Sequence, residues 1–397
     1  MMLFLRYILF ALVMSSITGL VHYYFYRRLV KNTELENPWR NVAVVIIVFL
    51  AISLPLGMIL GRTLPFRTAR HFIFIPYTWM GMMLLLFMFL LIVDFLRLIK
   101  SLVSRLRARR PGPGSKSRRI RLMRLQAAAC IVLSVILASW SVYSGRARPE
   151  LTEVNVTLER LPVQMNGFRI VQLTDMHIGS VLGREWVSML VESVNSVKPD
   201  LVVLTGDIVD GDVTHLSGEI EPLSRLKAAH GVYIVTGNHE YYSGISKWTP
   251  VFRKMNIKLL RNERVAIGDG KNSFDLAGID DYNSRGHAPG HGPDLEKALK
   301  GRDPDRELIL LAHQPKAVYE ASKYDVGLQL SGHTHGGQIC PWGFMVLMTQ
   351  PYLSGLHLYN GRTQIYVSEG SGMWGPPMRL GTNSEITLIR LLSGKRK

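Results

Sequence analysis

Five short clusters in the second half of the sequence combine carboxylate, imidazole and amide side chains, the groups that bind divalent metals and transfer protons. They are Asp175-Met-His177, Gly206-Asp207-Ile-Val-Asp210, Gly237-Asn238-His239-Glu240, Ala312-His313-Gln314-Pro315 and Gly332-His333-Thr-His335-Gly336-Gly337. Ligands of this kind without thiolate suit Mn, Fe or Zn in a catalytic site, rather than zinc in a closed structural site. Two such ions about 3.5–4 Å apart can generate hydroxide at neutral pH and promote an in-line displacement at phosphorus.

The spacing within the clusters adds a geometric expectation. In an extended chain, residues i and i+2 point the same way, so Asp175 with His177, and His333 with His335, are each expected to approach one centre together. Each cluster alone is also typical of an ordinary turn, and a lone His313 is typical of a partly buried, hydrogen-bonded histidine. The ordered set of five therefore indicates a metal site more strongly than any single member.

Each cluster directly follows a short apolar run, and such runs predict the strands that would position it. Several runs are almost continuously apolar, as expected for strands buried on both faces. The predicted strands are Phe168–Leu173, Leu201–Leu204, Val232–Val235, Leu308–Leu311, Val326–Leu330, Gln364–Val367 and Ile386–Leu391, with helices at Arg184–Val197 and Asp294–Lys300. Strands alternating with helices predict an α/β domain. Because ligands bind beyond the carboxyl ends of strands in open α/β sheets, all five clusters are expected to converge there.

The first part of the chain has a different pattern, with four apolar stretches that contain no Asp, Glu, Lys or Arg. They are Tyr7–Tyr26, Val42–Leu60, Phe72–Val93 and Leu125–Gly145. A helix of about 20 apolar residues spans the hydrocarbon core of a bilayer. A cleavable signal peptide is the alternative for the first stretch, but no small-residue cleavage site follows it. These features predict a four-helix transmembrane region over residues 1–148 and a separate domain over residues 149–397.

The net charge of +17 is confined to that first part. Residues 1–150 hold 21 Lys and Arg against four Asp and Glu, whereas the rest of the chain holds 26 of each. A nucleic-acid-binding domain would need a basic face of its own, so nucleic acid is not an expected partner. Eleven of the basic residues lie between the third and fourth apolar stretches. Because loops rich in Lys and Arg stay in the cytoplasm, the sequence predicts a multi-pass protein of the cell membrane with its C-terminal domain on the extracytoplasmic side. Binding of anionic headgroups by the same loop is a compatible alternative.

Taken together, the five clusters resemble the calcineurin-like metallophosphoesterase family over about Phe168 to Leu391. With its apolar N-terminal part, the chain resembles transmembrane proteins that carry such a domain. The resemblance implies a four-layer sandwich of two mixed β-sheets flanked by helices, and a site for two divalent metal ions (Mn, Fe or Zn).

The resemblance also implies a role for each residue. One metal would be held by Asp175, His177, Asp207 and His335, and the other by Asp207, Asn238, His313 and His333, with Asp207 bridging the two. His239 would be the catalytic residue that protonates the leaving oxygen or stabilises the charge of the transition state. Asp210 and Glu240 are interpreted as supporting residues around the ligands.

Three further features have less specific interpretations. Arg379, in Pro377-Met-Arg379-Leu-Gly381, is predicted either to contact a substrate phosphate or to be an ordinary surface arginine. Asp280 and Asp281 are interpreted as a solvated turn. Cys130 and Cys340 are predicted to be buried free thiols.

These observations predict a membrane-anchored, metal-dependent phosphoesterase in which a two-metal-activated hydroxide attacks a phosphoester. The expected partners are membrane lipids and a phosphoester substrate, which could be soluble or a lipid-linked diphosphate at the bilayer surface. One alternative is a membrane sensor or binding protein whose phosphoesterase-like domain is catalytically silent, although no motif position is lost. A transporter is the other alternative, but no charged pair lies within the four uncharged stretches. The substrate, the metal identity and the oligomeric state are left open by the sequence.

Overall fold

We describe the chain from a computed structural model that defines residues 2–64, 66–106, 116–179, 181–287 and 290–394. Contacts between residues divide the chain into two compact units. The helical unit holds the residues up to Leu64 and Thr68–Val142, and the second unit holds the chain from Tyr143 onward. Three basic residues of the predicted cytoplasmic loop, Arg107, Arg109 and Arg110, lie outside the described residues.

The helical unit consists of four long helices, which form because their sequences are apolar and almost free of helix-breaking residues. They are α1 (Met2–Phe25), α2 (Trp39–Thr63), α3 (Phe66–Leu106) and α4 (Lys116–Gly145), and a π-helical turn at Tyr26–Lys31 continues α1. Pro55 and Pro76 lie inside α2 and α3, a position that membrane helices tolerate. The absence of a side chain at Gly57 allows close packing, because a Cβ there would overlap the ring of Pro76.

Three of these helices are long and apolar enough to cross a membrane, over Trp39–Gly61, Thr68–Leu106 and Lys116–Gly145. They contain the second, third and fourth predicted spans. The first predicted span lies in α1 and the turn that follows it, and its crossing of the membrane stays a prediction. Just beyond the third predicted span, the Asp94 carboxylate lies 2.9 Å from Arg28 and accepts a hydrogen bond from Tyr24 at 2.7 Å.

The second unit contains two six-stranded mixed β-sheets. Its strands are β1 (Glu150–Leu158), β2 (Arg169–Leu173), β3 (Leu201–Leu204), β4 (Val232–Ile234), β5 (Ile257–Leu259), β6 (Glu263–Asp269), β7 (Asn272–Gly278), β8 (Leu308–Leu311), β9 (Leu328–Ser331), β10 (Gly355–Tyr359), β11 (Thr363–Val367) and β12 (Glu385–Ser393). The first sheet has the order β1-β12-β2-β3-β4-β5, and the second has the order β10-β11-β9-β8-β7-β6. Strands β2 to β5 run parallel, as do β7, β8, β9 and β11.

A hydrophobic core fills the space between the sheets. Ile170 and Val203 of the first sheet belong to the same buried cluster as Leu276, Ile309 and Leu330 of the second. The described residues of this unit also form the helices α5 (Arg184–Ser196), α6 (Val213–Ile220), α7 (Asn238–Tyr242), α8 (Ile245–Lys254), α9 (Leu295–Leu299), α10 (Val318–Ala321) and α11 (Gly343–Val346). Side chains of α5, α6 and α8 form a second cluster with the first sheet, and those of α9 and α10 form a third with the second sheet.

All seven predicted strands and both predicted helices are present, with ends within two residues of the prediction at most positions. The interpretation of the cysteines was half right, because Cys130 is buried whereas Cys340 is exposed. Cys340 lies in a surface segment just past the metal-binding clusters, where the chain leaves the core.

Candidate metal centre

Each of the five clusters follows a parallel strand, and all of them meet at one edge of the two sheets. Hydrogen bonds join the clusters to one another: the amide of His333 donates to Oδ2 of Asp175 at 2.8 Å, and the amide of His239 donates to Oδ1 of Asp207 at 2.8 Å. The amide of His177 donates to the carbonyl of Asp207 at 3.0 Å. The structure therefore confirms the prediction that the five clusters converge.

The first group of possible ligands is formed by Asp175, His177 and His335, whose ligand atoms lie within 4.8 Å of one another. Nε2 of His335 lies 3.3 Å from Oδ1 of Asp175 and 3.1 Å from Nε2 of His177. All three residues are buried. The geometry suits a cation that all three side chains would share.

The second group is formed by Asp207, His313 and His333. Nε2 of His313 lies 3.2 Å from Oδ2 of Asp207 and 3.2 Å from Nδ1 of His333. The same Oδ2 atom lies 3.8 Å from Nε2 of His177 in the first group. Asp207 therefore stands between the two groups, in the position that a bridging carboxylate would take.

Several atoms of the site have the properties expected of metal ligands. Oδ1 of Asp175 and Oδ1 of Asn238 are buried and have no hydrogen-bond partner among the residues that the structure describes. Such orphaned polar atoms are costly unless a ligand or ion satisfies them. Nδ1 of His313 donates to the carbonyl of Thr205 at 2.8 Å, and Nδ1 of His177 lies 2.9 Å from Asp210. These contacts occupy Nδ1 and leave Nε2 directed into the site. A histidine that binds a metal through one ring nitrogen usually makes such a hydrogen bond through the other.

The backbone at the ligands is left-handed, which corrects the expectation of extended pairs. The φ angles are +52° at Asp175, +45° at His177, +54° at Asp207, +71° at His333 and +51° at His335. Residues in this region cost on the order of 1–3 kcal/mol each and cluster at functional sites. Asp175 and His177 still share one group, but His333 and His335 belong to different groups, because the turn between them directs their rings apart.

Two glycines allow the clusters to approach so closely. A Cβ at Gly332 would overlap Oδ2 of Asp175, and a Cβ at Gly237 would overlap Oδ1 of Asp207. The glycines of these motifs are therefore required for packing of the site, in addition to forming turns.

His239 lies beside both groups and belongs to neither, although with His177 and Asp210 it forms a third possible group of ligands. It is the second residue of α7. Nε2 of His239 lies 3.9 Å from Oδ2 of Asp207, and Nδ1 lies 2.6 Å from Oδ1 of Asp210. Burial opposes charging of this ring, but the carboxylates of Asp210 and then Asp207 outweigh it and raise the pKa of His239. The two carboxylates therefore favour the protonated form of the ring.

Asp210 and Glu240 support the site as expected. Burial favours the neutral form of Asp210, but the imidazoles of His177 and His239 outweigh it and hold the pKa of the carboxyl well below its usual range. Glu240 is fully buried and accepts hydrogen bonds from the amides of Asp207 at 2.9 Å and Gly237 at 2.7 Å. It thus ties the second and third clusters together.

The structure gives Arg379 a role that neither interpretation anticipated. Its side chain is fully buried, so the surface interpretation is wrong. The guanidinium donates to the carbonyls of Glu369 at 2.8 Å, Gly370 at 3.1 Å and Asn383 at 3.0 Å, among others. These donors face backbone oxygens instead of a substrate phosphate, because the loop wraps around the side chain. Arg379 holds the loop that packs against Asp175.

Other residues near the site were missed or misread. Asp280 and Asp281 are buried instead of solvated: Asp280 pairs with Arg261 at 2.6 Å, and Asp281 accepts hydrogen bonds from Gln314. Sequence reasoning also passed over Trp374, whose half-exposed ring lies 5.9 Å from that of His239. Its only local signal is an aromatic residue in the Gly-rich segment Gly370–Gly375.

Comparison with known proteins agrees with this fold and site. The calcineurin-like phosphoesterase family matches over residues 168–337, the stretch that carries all five clusters. A "transmembrane protein with metallophosphoesterase domain" from Danio rerio is 34% identical over 398 residues, which cover 96% of this chain and 89% of that protein. The protein of the same name from Bos taurus is 37% identical over 330 residues, covering 81% and 74% of the two chains.

A bacterial relative matches over the whole length. An "uncharacterized metallophosphoesterase" from Campylobacter jejuni is 33% identical over 404 residues, covering 98% of this chain and 100% of that protein.

The chain belongs to the calcineurin-like phosphoesterase family. Its apolar helices and its relatives together make it a membrane-associated metallophosphoesterase.

Proposed function

We propose that this protein is a membrane-anchored phosphoester hydrolase whose catalytic site holds two divalent cations. The observation that carries the proposal is the position of Asp207, whose Oδ2 atom lies 3.2 Å from His313 and 3.8 Å from His177. One carboxylate thus faces both groups of ligands. The four-layer arrangement of sheets and helices, the four membrane crossings and an extracytoplasmic hydrolase domain are parts of the same proposal.

We assign the same residues to each cation as the family resemblance implies. Asp175, His177, Asp207 and His335 would hold one, and Asp207, Asn238, His313 and His333 would hold the other. When bound, such a pair of cations lowers the pKa of water and offsets negative charge at phosphorus. Orphaned Oδ1 atoms on Asp175 and Asn238 support this assignment, since both are buried carboxylate or amide oxygens of the type that Mn, Fe and Zn accept.

His239 is the residue that would donate the proton. Its Nδ1 atom faces Asp210, which leaves Nε2 directed past Asp207 toward the site. Asp210 helps to keep the ring protonated, and loss of the P–O bond to the leaving group requires a proton on that oxygen unless the group is a good anion. We therefore propose that Nε2 of His239 supplies this proton.

The experiment is to purify the full-length protein without chelator, determine its metal content by elemental analysis, and assay hydrolysis of bis(4-nitrophenyl) phosphate. We expect two metal ions per chain and activity that a chelator abolishes and added Mn²⁺ restores. Asp207→Ala should deplete the metal and the activity together, whereas Asp305→Ala, at an exposed position of the same unit, should change neither. One ion or none, with no restored activity, would leave a catalytically silent binding or sensor protein as the better interpretation.

A further inference from the structure

The hydrolase unit has an exposed apolar segment beside the candidate metal centre. Residues 326–361 contain no Asp, Glu, Lys or Arg. Within them Trp342–Met348, which we call the apolar lip, includes α11 and leaves its large side chains in solvent. Phe344 and Met348 are each 75% exposed, and Trp342, Met345 and Leu347 are also exposed. A contiguous apolar surface of this kind on a folded domain indicates a binding surface, because exposing apolar side chains to water is unfavourable.

The apolar lip begins where the last metal-binding cluster ends. A Cβ on Gly337 would lie 2.6 Å from Cα of Gly343, so the turn after His335 packs directly on the first residue of α11. The amide of Trp342 donates to the carbonyl of Ile339 at 2.8 Å. The lip is therefore fixed to the site by backbone contacts.

A further exposed aromatic residue, outside the lip, lies beside the proposed acid. The side chain of Gln338 donates to the carbonyl of Trp374 at 2.8 Å and accepts from its amide at 2.9 Å. The ring of Trp374 is half-exposed and lies 5.9 Å from the ring of His239. The turn that leads into the lip thus also holds the backbone of an exposed tryptophan beside the group that would protonate the leaving oxygen.

Two properties of the chain favour a lipid bilayer as the occupant of this surface. Tryptophan, phenylalanine, methionine and leucine without charged neighbours are the side chains that enter the interface between headgroups and acyl chains. Moreover, α4 ends at Gly145 and β1 begins at Glu150, so the connection reaches at most roughly 18 Å when extended. Since α4 is apolar and long enough to cross a membrane, the hydrolase unit is tethered close to a bilayer surface.

We propose that the apolar lip inserts into the bilayer that holds the helices, and that the substrate is a phosphoester of a lipid in that bilayer. The inference rests on the proposed function and narrows it to amphiphilic substrates. The lip would hold the site at the depth of the headgroups, so that the alkyl part of the substrate stays in the lipid while its phosphoester reaches the residues around Asp207.

The first test measures the position of the lip and does not depend on activity. The full-length Cys130→Ala, Cys340→Ser protein carries a spin label at Met348→Cys, or at Val163→Cys as the matched control, and is reconstituted in phosphatidylcholine–phosphatidylglycerol vesicles. Val163 is equally exposed, at 75%, and precedes β2, at the opposite end of the strand from Asp175. We expect the label at position 348 to be accessible to oxygen and shielded from a water-soluble nickel chelate, and the label at 163 to show the reverse.

The second test compares two substrates that differ only in the alkyl chain, ethyl and hexadecyl 4-nitrophenyl phosphate. In lipid nanodiscs, Phe344→Gln combined with Met348→Gln should lower kcat/KM for the hexadecyl ester by about tenfold or more, because two apolar anchors are lost from the bilayer. Hydrolysis of the ethyl ester should change by less than about twofold, since the leaving group and the reacting atoms are the same. Val163→Gln should leave both rates unchanged.

The outcomes separate the inference from the proposed function. Three outcomes would overturn the inference while leaving the proposed hydrolase function standing. They are a label at position 348 that is exposed to water, an equal loss of activity for both esters, and a short distance between labels on two chains, which would show two lips packed together. If the unsubstituted protein hydrolyses neither ester with metal bound, the proposed function fails, and the inference about its substrate fails with it even if the label reports insertion.

Discussion

Nδ1 of His239 lies 2.6 Å from Oδ1 of Asp210, and the same oxygen lies 2.9 Å from Nδ1 of His177. One carboxylate oxygen therefore orients both a proposed metal ligand and the proposed acid. The rings of these two histidines meet edge to face, with centroids 4.6 Å apart. The proposed metal binding by His177 and the proposed proton donation by His239 would therefore both depend on Asp210, and substitutions of these residues should separate the two roles.

His239→Ala should keep its metal but lose turnover. The ring lies outside the two groups assigned to the cations, and the metal content should match that of the unsubstituted protein if the third possible group, His177, Asp210 and His239, holds no ion. Turnover should fall by about 10²–10⁴-fold for a leaving group of high pKa, which is typical of losing a general acid. The loss should shrink for a 4-nitrophenyl ester, because nitrophenolate needs little protonation. Elemental analysis measures the metal content, and rates with the two leaving groups measure the loss of turnover. Loss of metal, or an equal defect for both esters, would rule out His239 as the general acid.

Asp210→Asn should change the pH profile of hydrolysis. The amide oxygen can still accept from both imidazoles, but its neutral side chain no longer stabilises their charge. Because Asp210 raises the pKa of His239, removing its charge lowers that pKa, and a general acid is active only while protonated. The fall of kcat at alkaline pH should therefore begin at a lower pH. An unchanged fall at unchanged metal content would show that His239 is not the group titrating there. Asp305→Asn, exposed in the same unit, serves as the control.

Metal affinity should rise with pH. Burial disfavours the charged ring of His313, but Asp207 outweighs it and raises the pKa of His313 to about 10. A cation that binds Nε2 must displace this proton, so each proton released makes the affinity rise by about tenfold per pH unit below that pKa. Titration calorimetry with Mn²⁺ in buffers of different ionisation enthalpy counts the protons released. No release at neutral pH, with an affinity independent of pH, would contradict a role for His313 as a ligand.

Arg379→Met should destabilise the hydrolase unit. Methionine fills much of the same space but donates no hydrogen bond, and it leaves the carbonyls of Glu369, Gly370 and Gly372 buried without their partner. Each unsatisfied group costs about 1–3 kcal/mol. The Tm of this unit should fall by roughly 5–10 °C, whereas Arg390→Met, at an exposed position of β12, should have little effect. A higher KM at unchanged Tm would restore the substrate-contact interpretation.

The C-terminus should be extracytoplasmic. The segment between the third and fourth apolar stretches holds 11 of the 21 Lys and Arg of residues 1–150 and favours the cytoplasm, and α4 is then expected to cross once to the other side. This conclusion is the same whether or not α1 crosses the membrane. Alkaline phosphatase fused after Lys397 should be active and a green fluorescent protein at the same position dark, with the pattern reversed for fusions between residues 110 and 111. Fluorescence at the C-terminus would place the hydrolase in the cytoplasm.

The sequence by itself determined the strands that carry the site. Leu201–Leu204 and Leu308–Leu311 were predicted with their observed limits, because a strand buried on both faces must be continuously apolar and ends where polar residues begin. Placement of the five clusters at one edge followed from the direction of parallel strands. Strands with alternating or few apolar residues, such as β1 and β5, were missed since their stability comes from pairing with distant segments.

Tertiary structure alone decided which ligands share a group. Asp175 and His335 are far apart in sequence and lie 3.3 Å from each other, whereas His333 and His335 are two residues apart and belong to different groups. Local spacing cannot specify such pairs, because the left-handed turns that direct each ring form only when the strands from both sheets are packed. The same reason explains Arg379: whether an arginine faces solvent, substrate or backbone carbonyls depends on a loop that closes around it only in the folded domain.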